Sequence, residues 1–171
     1  SLGMSQYYFP LIEDELLKEG LPIELRALPI IESALSVTAV SPMGAVGLWQ
    51  FMPSTGKSYG LEVNSLVDER RDPVRSTQAA CRYLKDLYAI YKDWSLAIAA
   101  YNCGPGNVNK ALARAGEKSR TFWDIYDYLP RETRGYVPAF IGASYAYAYH
   151  RQHGIELTEA PIPLATRSEE H

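Results

Sequence analysis

The sequence predicts a mostly α-helical domain, and three observations carry that prediction. Apolar residues recur at three- and four-residue spacing, most clearly from Val74 to Tyr91, where Cys81, Leu84, Leu87, Tyr88 and Tyr91 fall on one side. Prolines open and glycines close many of the apolar segments, the usual punctuation of helices. One stretch, Tyr145-Ala146-Tyr147-Ala148-Tyr149, alternates with the period of a strand. It still reads as helix, because alanine is the best helix former and no partner strand is found elsewhere in the chain.

The elements follow in order. Leu11 to Glu19 lies between Pro10 and Gly20 and reads as a first helix. Pro22 to Leu35 places Leu25, Leu28, Glu32 and Leu35 at helical spacing, with Pro29 either kinking the helix or starting a new one. Ser41-Pro42 is a helix-start signal, and the small residues Gly44 to Gly47 lead into Leu48-Trp49-Gln50-Phe51-Met52. Pro53-Ser54 opens a short turn ending at Gly60, and the charged run Asp68 to Pro73 reads as a loop before the Val74–Tyr91 helix. Asp93 is a candidate N-cap for Trp94 to Tyr101, and Asn102 to Gly106 reads as a tight turn. Asn107 to Ala115 follows as a helix stopped by Gly116. Thr121 to Leu129 and Arg131 to His153 close the fold, with Pro138 as an early interruption. Residues 1–154 therefore form one domain, and 155–171, with Pro161, Pro163 and a charged end, an extended or loose tail.

Composition sets bounds on function. A chain of 171 residues can bury one substantial core. Its 17 Lys+Arg against 20 Asp+Glu give a net charge of −3, without the basic face that nucleic acid requires. Thirteen Tyr beside 4 Phe and 3 Trp suit a polar, uncharged ligand better. No uninterrupted apolar run reaches the roughly 18 residues needed to span a bilayer. Ser1 to Tyr8 lack a signal-peptide pattern. Because the chain does not open on Met, it reads as a processed or excised piece. Cys81 and Cys103 are spaced wrongly for zinc, leaving two buried thiols or one disulfide as open alternatives. His150 and His153 lie three apart without a carboxylate or thiol partner and read as surface residues rather than metal ligands. The Arg70-Arg71-Asp72 cluster reads as a solvated loop or a structural salt bridge. No metal and no cofactor is expected.

The most informative residue is Glu32. It lies four residues after Leu28 and seven after Leu25, beside Ile30 and Ile31, on an otherwise apolar face. A carboxylate there loses hydration, which favours its neutral form and raises its pKa. A carboxylic acid that stays protonated near neutrality is what a general acid must be. The competing reading is a glutamate at a helix edge whose neighbours merely look apolar.

The strings Ile31-Glu32-Ser33-Ala34, Ser41-Pro42-Met43-Gly44 through Met52-Pro53, Ala100-Tyr101-Asn102-Cys103-Gly104-Pro105-Gly106 and Tyr136-Val137-Pro138 occur in one order from Glu32 to Pro138. Together they resemble the family 1 lytic transglycosylases, which implies a lysozyme-like, goose-type helical fold. With Arg70-Arg71-Asp72-Pro73 and Leu129-Pro130-Arg131-Glu132-Thr133, the wording is closest to the membrane-bound, D-type members. Such members usually carry a signal and LysM repeats, so the chain reads as a catalytic core cut from a larger protein of the periplasm or cell envelope.

The resemblance implies that Glu32 is the single catalytic carboxylate. It further implies that Ser41, Gln50, Met52, Tyr101 and Asn102 contact substrate, and that Tyr136 stands against the glutamate. Trp49 departs from the family's usual methionine before the glutamine, which bears on fine detail of the groove. The implied partner is the glycan strand of peptidoglycan, cut at the β-1,4 bond between N-acetylmuramic acid and N-acetylglucosamine. No acidic residue lies between Glu32 and Glu62, so no second carboxylate is near in sequence. One carboxyl suffices if it protonates the leaving oxygen and then takes the proton of the muramic acid C6 hydroxyl, giving a 1,6-anhydro end. A hydrolytic muramidase and a noncatalytic glycan-binding module are the alternatives, and oligomeric state stays open.

Overall fold

The computed structural model describes residues 5–153. Eight α-helices follow one another in this span: α1 (Ser5–Lys18), α2 (Ala27–Ser33), α3 (Pro53–Ser58), α4 (Pro73–Tyr91), α5 (Trp94–Cys103), α6 (Pro105–Ala115), α7 (Phe122–Ile125) and α8 (Arg131–His153). Single 3₁₀ turns at Ile23–Arg26, Glu69–Arg71 and Tyr126–Tyr128 join some of them. Among the described residues β-pairing is limited to isolated bridges, Val40 with Val46, Val46 with Phe51, and Val63 with Asp68. The expected tail, 155–171, lies outside the described residues.

α5 is the centre of the fold because its sequence is apolar on every side. Leu96 to Cys103 are all buried, and the helix packs against α4, α6, α7 and α8. Asp93 caps it as expected, its carboxylate accepting from Leu96 N at 2.9 Å. α5 continues two residues beyond its expected end, through Asn102 and Cys103. The expected turn shrinks to Gly104, whose φ of +86° breaks the path, and Pro105 starts the next helix at once.

α1 begins upstream of Pro10 and keeps that proline inside it, turning Phe9, Ile12 and Leu16 into the core. α8 likewise runs unbroken through Pro138, where an interruption was expected. The ring forfeits one main-chain hydrogen bond, but Tyr136, Val137 and Ala143 on both sides of it are buried and hold the helix together. The tyrosine run at 145–149 is helical: Tyr147 is buried against Phe9 at 4.6 Å, with the Arg26 guanidinium 4.3 Å over its ring. Tyr145 and Tyr149 point outward. On α4, Cys81, Leu84 and Leu87 are buried as expected, whereas Tyr88 is exposed and stacks on Trp94 at 4.5 Å. The Thr121–Leu129 helix is shorter than expected, α7 giving way to a 3₁₀ turn, and His150 is half-buried against Tyr147 rather than on the surface.

Ser41-Pro42 opens a turn and no helix. Gly44 N donates to Ser41 O, Ala45 N donates to Ser41 Oγ, and Gly44 and Gly47, at φ +94° and +89°, reverse the chain. The 39–52 segment thus forms a compact irregular loop. Arg70, expected on a solvated loop or in a salt bridge, is buried and paired with Asp68 at 2.8 Å.

Cys81 and Cys103 are both buried thiols. Burial, ahead of repulsion by Glu15 and Glu19, pushes the Cys81 thiol up to about 12. It is therefore not a thiolate near neutrality, and thiolates are the reactive form. A thiol-specific reagent is expected to modify neither residue in the native chain and both once the unreduced protein is unfolded. Titration of fewer than two thiols in denaturant would contradict this arrangement.

Candidate active site

Glu32 sits in α2, a seven-residue helix in which every residue is buried. It is 7% exposed, which excludes the helix-edge reading and leaves a narrow opening to solvent. The helix ends at Ala34 and Leu35, both in the left-handed region at φ 50° and 63°, so the chain turns sharply one residue after Ser33. Ala34 N donates to Ile30 O and Leu35 N to Pro29 O, which satisfies the last carbonyls of α2.

Four buried hydrogen bonds enclose the glutamate and join four segments of the chain. Tyr136 OH on α8 donates to Glu32 Oε2 at 2.8 Å. Three residues earlier on α8, Thr133 Oγ1 donates to Asn102 Oδ1 on α5 at 2.8 Å. The neighbouring Tyr101 OH donates to Trp49 O in the 39–52 loop at 2.6 Å. Leu48 O, next to Trp49, accepts from Ser33 Oγ at 2.9 Å, and Ser33 adjoins Glu32. The circuit therefore closes at Ser33, the residue after its starting glutamate, and draws on each of the motifs that were separate in sequence.

The loop is itself pinned. Gln50, at φ 52°, is buried and its Nε2 donates to Ala39 O at 3.1 Å and Gly47 O at 3.0 Å. Trp49 Nε1 donates to Thr77 Oγ1 on α4 at 2.9 Å. Ser41 and Met52 are half-buried at the two ends of the loop. Tyr101 and Asn102, by contrast, are fully buried, so neither presents a face to solvent in this structure. The sequence expected them, with Gln50, to touch substrate; here Gln50 Nε2 and Tyr101 OH donate to main-chain carbonyls and Asn102 Oδ1 accepts from Thr133. Ser33 and Thr133 were assigned no role from sequence. A hydroxyl that bonds a carbonyl 15 residues away, or an amide 31 residues away, leaves no local signal.

No group of three or more His, Cys, Asp or Glu side chains is arranged to hold a metal ion among the described residues. Two cavities, of about 450 Å³ beside Ile90, Leu96 and Leu112 and about 500 Å³ beside Tyr59, Arg82 and Asp86, include neither Glu32 nor its partners. No helix among the described residues is long and apolar enough to cross a membrane.

Fold and site together define a helical domain of the lysozyme-like class built round one buried carboxylic acid. The same architecture occurs in an inactive glutamate-to-glutamine mutant of the lytic transglycosylase Slt from Pseudomonas aeruginosa, with a TM-score of 0.68, 25% identity, and coverage of 96% of this chain and 26% of that one. It occurs also in the 70-kDa soluble lytic transglycosylase of Escherichia coli, with a TM-score of 0.67 and 28% identity over 94% of this chain and 26% of that one. The chain belongs to the family described as Transglycosylase SLT domain, which matches residues 10–123. The membrane-bound lytic murein transglycosylase D of Escherichia coli strain K12 is 40% identical over 153 residues, 88% of this chain. This chain spans 33% of that relative's length.

Proposed function

We propose that the chain is the catalytic domain, read as residues 1–154, of a peptidoglycan lytic transglycosylase of the bacterial cell envelope. Family membership and the names of the relatives support the substrate, and the hydrogen-bonded circuit round Glu32 carries the assignment of the chemistry. Burial weakens hydration of the anionic carboxylate and so favours the acid form. Tyr136 fixes the rotamer through Oε2, and an acceptor bond at that oxygen is compatible with a proton on the other.

Glu32 then gives its proton to the glycosidic oxygen as the bond to muramic acid C1 breaks. The positive charge developing at C1 is met by the sugar's own acetamido group. The Glu32 carboxylate takes the proton of the C6 hydroxyl, whose oxygen bonds C1 and closes the 1,6-anhydro ring. The carboxyl ends the cycle as it began, and no water is consumed. We assign sugar contact to Ser41 and Met52, half-buried near the two ends of the loop, with Gln50, Tyr101 and Asn102 shaping the wall behind them.

Mass spectrometry of purified sacculi digested with the protein tests this reading. The expected muropeptides are lighter by one water than their hydrolysed counterparts. Products bearing only hydrated muramic acid ends would instead establish a hydrolytic muramidase. Sacculi bound but left intact would establish a noncatalytic module.

A further inference from the structure

Arg70 lies outside every motif that the proposed chemistry uses, yet it is 6% exposed and fully engaged. Its Nη1 donates to two carbonyls, Gly44 O and Phe51 O, each at 2.9 Å, at the two ends of one loop segment. Its Nε and Nη2 grip Asp68 Oδ1 and Oδ2 at 2.9 and 2.8 Å, a two-pronged ion pair. Burial alone would push the Asp68 carboxyl upward, but hydrogen bonds and charge from Arg70, with a contribution from Arg71, hold it below the usual carboxylate range. Asp68 also caps the 3₁₀ turn through Arg70 N, and the next residue but one after Arg70, Asp72, caps α4. The clamp is therefore seated on the end of a long helix.

Between the two gripped carbonyls lie Leu48 and Trp49, whose own carbonyls accept from Ser33 and Tyr101 in the circuit round Glu32. The same span contains Gln50 in a left-handed conformation that persists only where the surroundings over-determine it. We propose that Arg70, clamped by Asp68, is a positioning residue for the reaction at Glu32: it fixes the 44–51 segment and, through Ser33 and Tyr101, the setting of the acid. This inference rests on the lytic transglycosylase reading. It requires the planar fork of arginine, since a lysine ammonium has neither the reach nor the geometry to hold two carbonyls and a carboxylate at once.

Arg70→Lys and the milder Asp68→Asn test it, each compared with wild type at a temperature where circular dichroism shows all three folded. Release of anhydro-muropeptides per folded molecule is expected to fall about tenfold or more at saturating sacculi, as small displacements of a reacting geometry do, with the half-saturating amount little changed. Amides of residues 44–51 are expected to exchange at least about tenfold faster, while those of α5 keep their protection. Equal turnover per folded molecule would overturn the proposal. So would protection lost uniformly from loop and α5, because Arg70 would then act on stability alone. If wild type releases no anhydro product, the lytic reading fails separately. The clamp is then judged on loop exchange alone, where selective loosening of residues 44–51 upholds it and unchanged exchange refutes it.

Discussion

Replacing Glu32 with glutamine is expected to cut the release of soluble anhydro-muropeptides by at least about 10³-fold while leaving the fold intact. Each proton transfer by a positioned group contributes roughly 10²- to 10⁴-fold, and Glu32 is assigned two of them in succession. A loss of 10³ corresponds to about 4 kcal/mol of barrier. Glutamine has nearly the same size, and its amide oxygen accepts from Tyr136 OH as Oε2 does in the 2.8 Å bond. The thermal midpoint should therefore stay level or rise, since buried functional acids cost stability. Residual turnover at half the wild-type rate would remove Glu32 from the mechanism.

The largest effect on stability is expected at Gly47. Its φ of +89° is a conformation that other residues reach only under strain, of roughly 1–3 kcal/mol. A Cβ there would stand 2.0 Å from Arg70 O and 3.0 Å from Arg70 C, both main-chain atoms. Relief by side-chain rotation is therefore closed, and overlap adds about 1–3 kcal/mol more. Gly47→Ala should thus lose roughly 2–6 kcal/mol of a typical total of about 5–15 kcal/mol. Gly44 serves as the comparison: its φ is +94°, but a Cβ there meets nothing within 4 Å. Gly44→Ala should cost only about 1–3 kcal/mol, the backbone term alone. Urea unfolding of both variants measures the difference. Equal losses would show that the close approach of Arg70 to Gly47 carries no weight.

Helix class and core were legible because both are written in local spacing. The Asp93 cap, the Gly116 stop and the buried Cys81, Leu84 and Leu87 face all follow from neighbours within a few turns. The helical state of Tyr145 to Tyr149 was legible for the same reason. What failed was local too, where long-range packing overrode a signal. Ser41-Pro42 has the residues of a helix start, but two glycines at positive φ and the Arg70 clamp turn the chain there. Pro138 ought to break α8, yet burial on both sides of it outweighs the lost bond. At the site, Glu32 was visible as an acid among apolar residues. The burial of Tyr101 and Asn102 was not, because motif membership says that a residue matters without saying whether it faces solvent or holds the wall.

The four bonds round Glu32 join residues 104, 31, 52 and 15 positions apart in the chain. Such separations mean that the enclosed carboxyl exists only where distant segments of the chain have met. Before α8 docks on α2, Glu32 has no Tyr136 and little cover, and it is then an ordinary hydrated glutamate, ionised near neutrality. No fragment lacking α8 holds the enclosed carboxyl, so on the proposed reading such a fragment has no acid to give. The enclosed carboxyl is thus a property of the assembled fold and of no part of it.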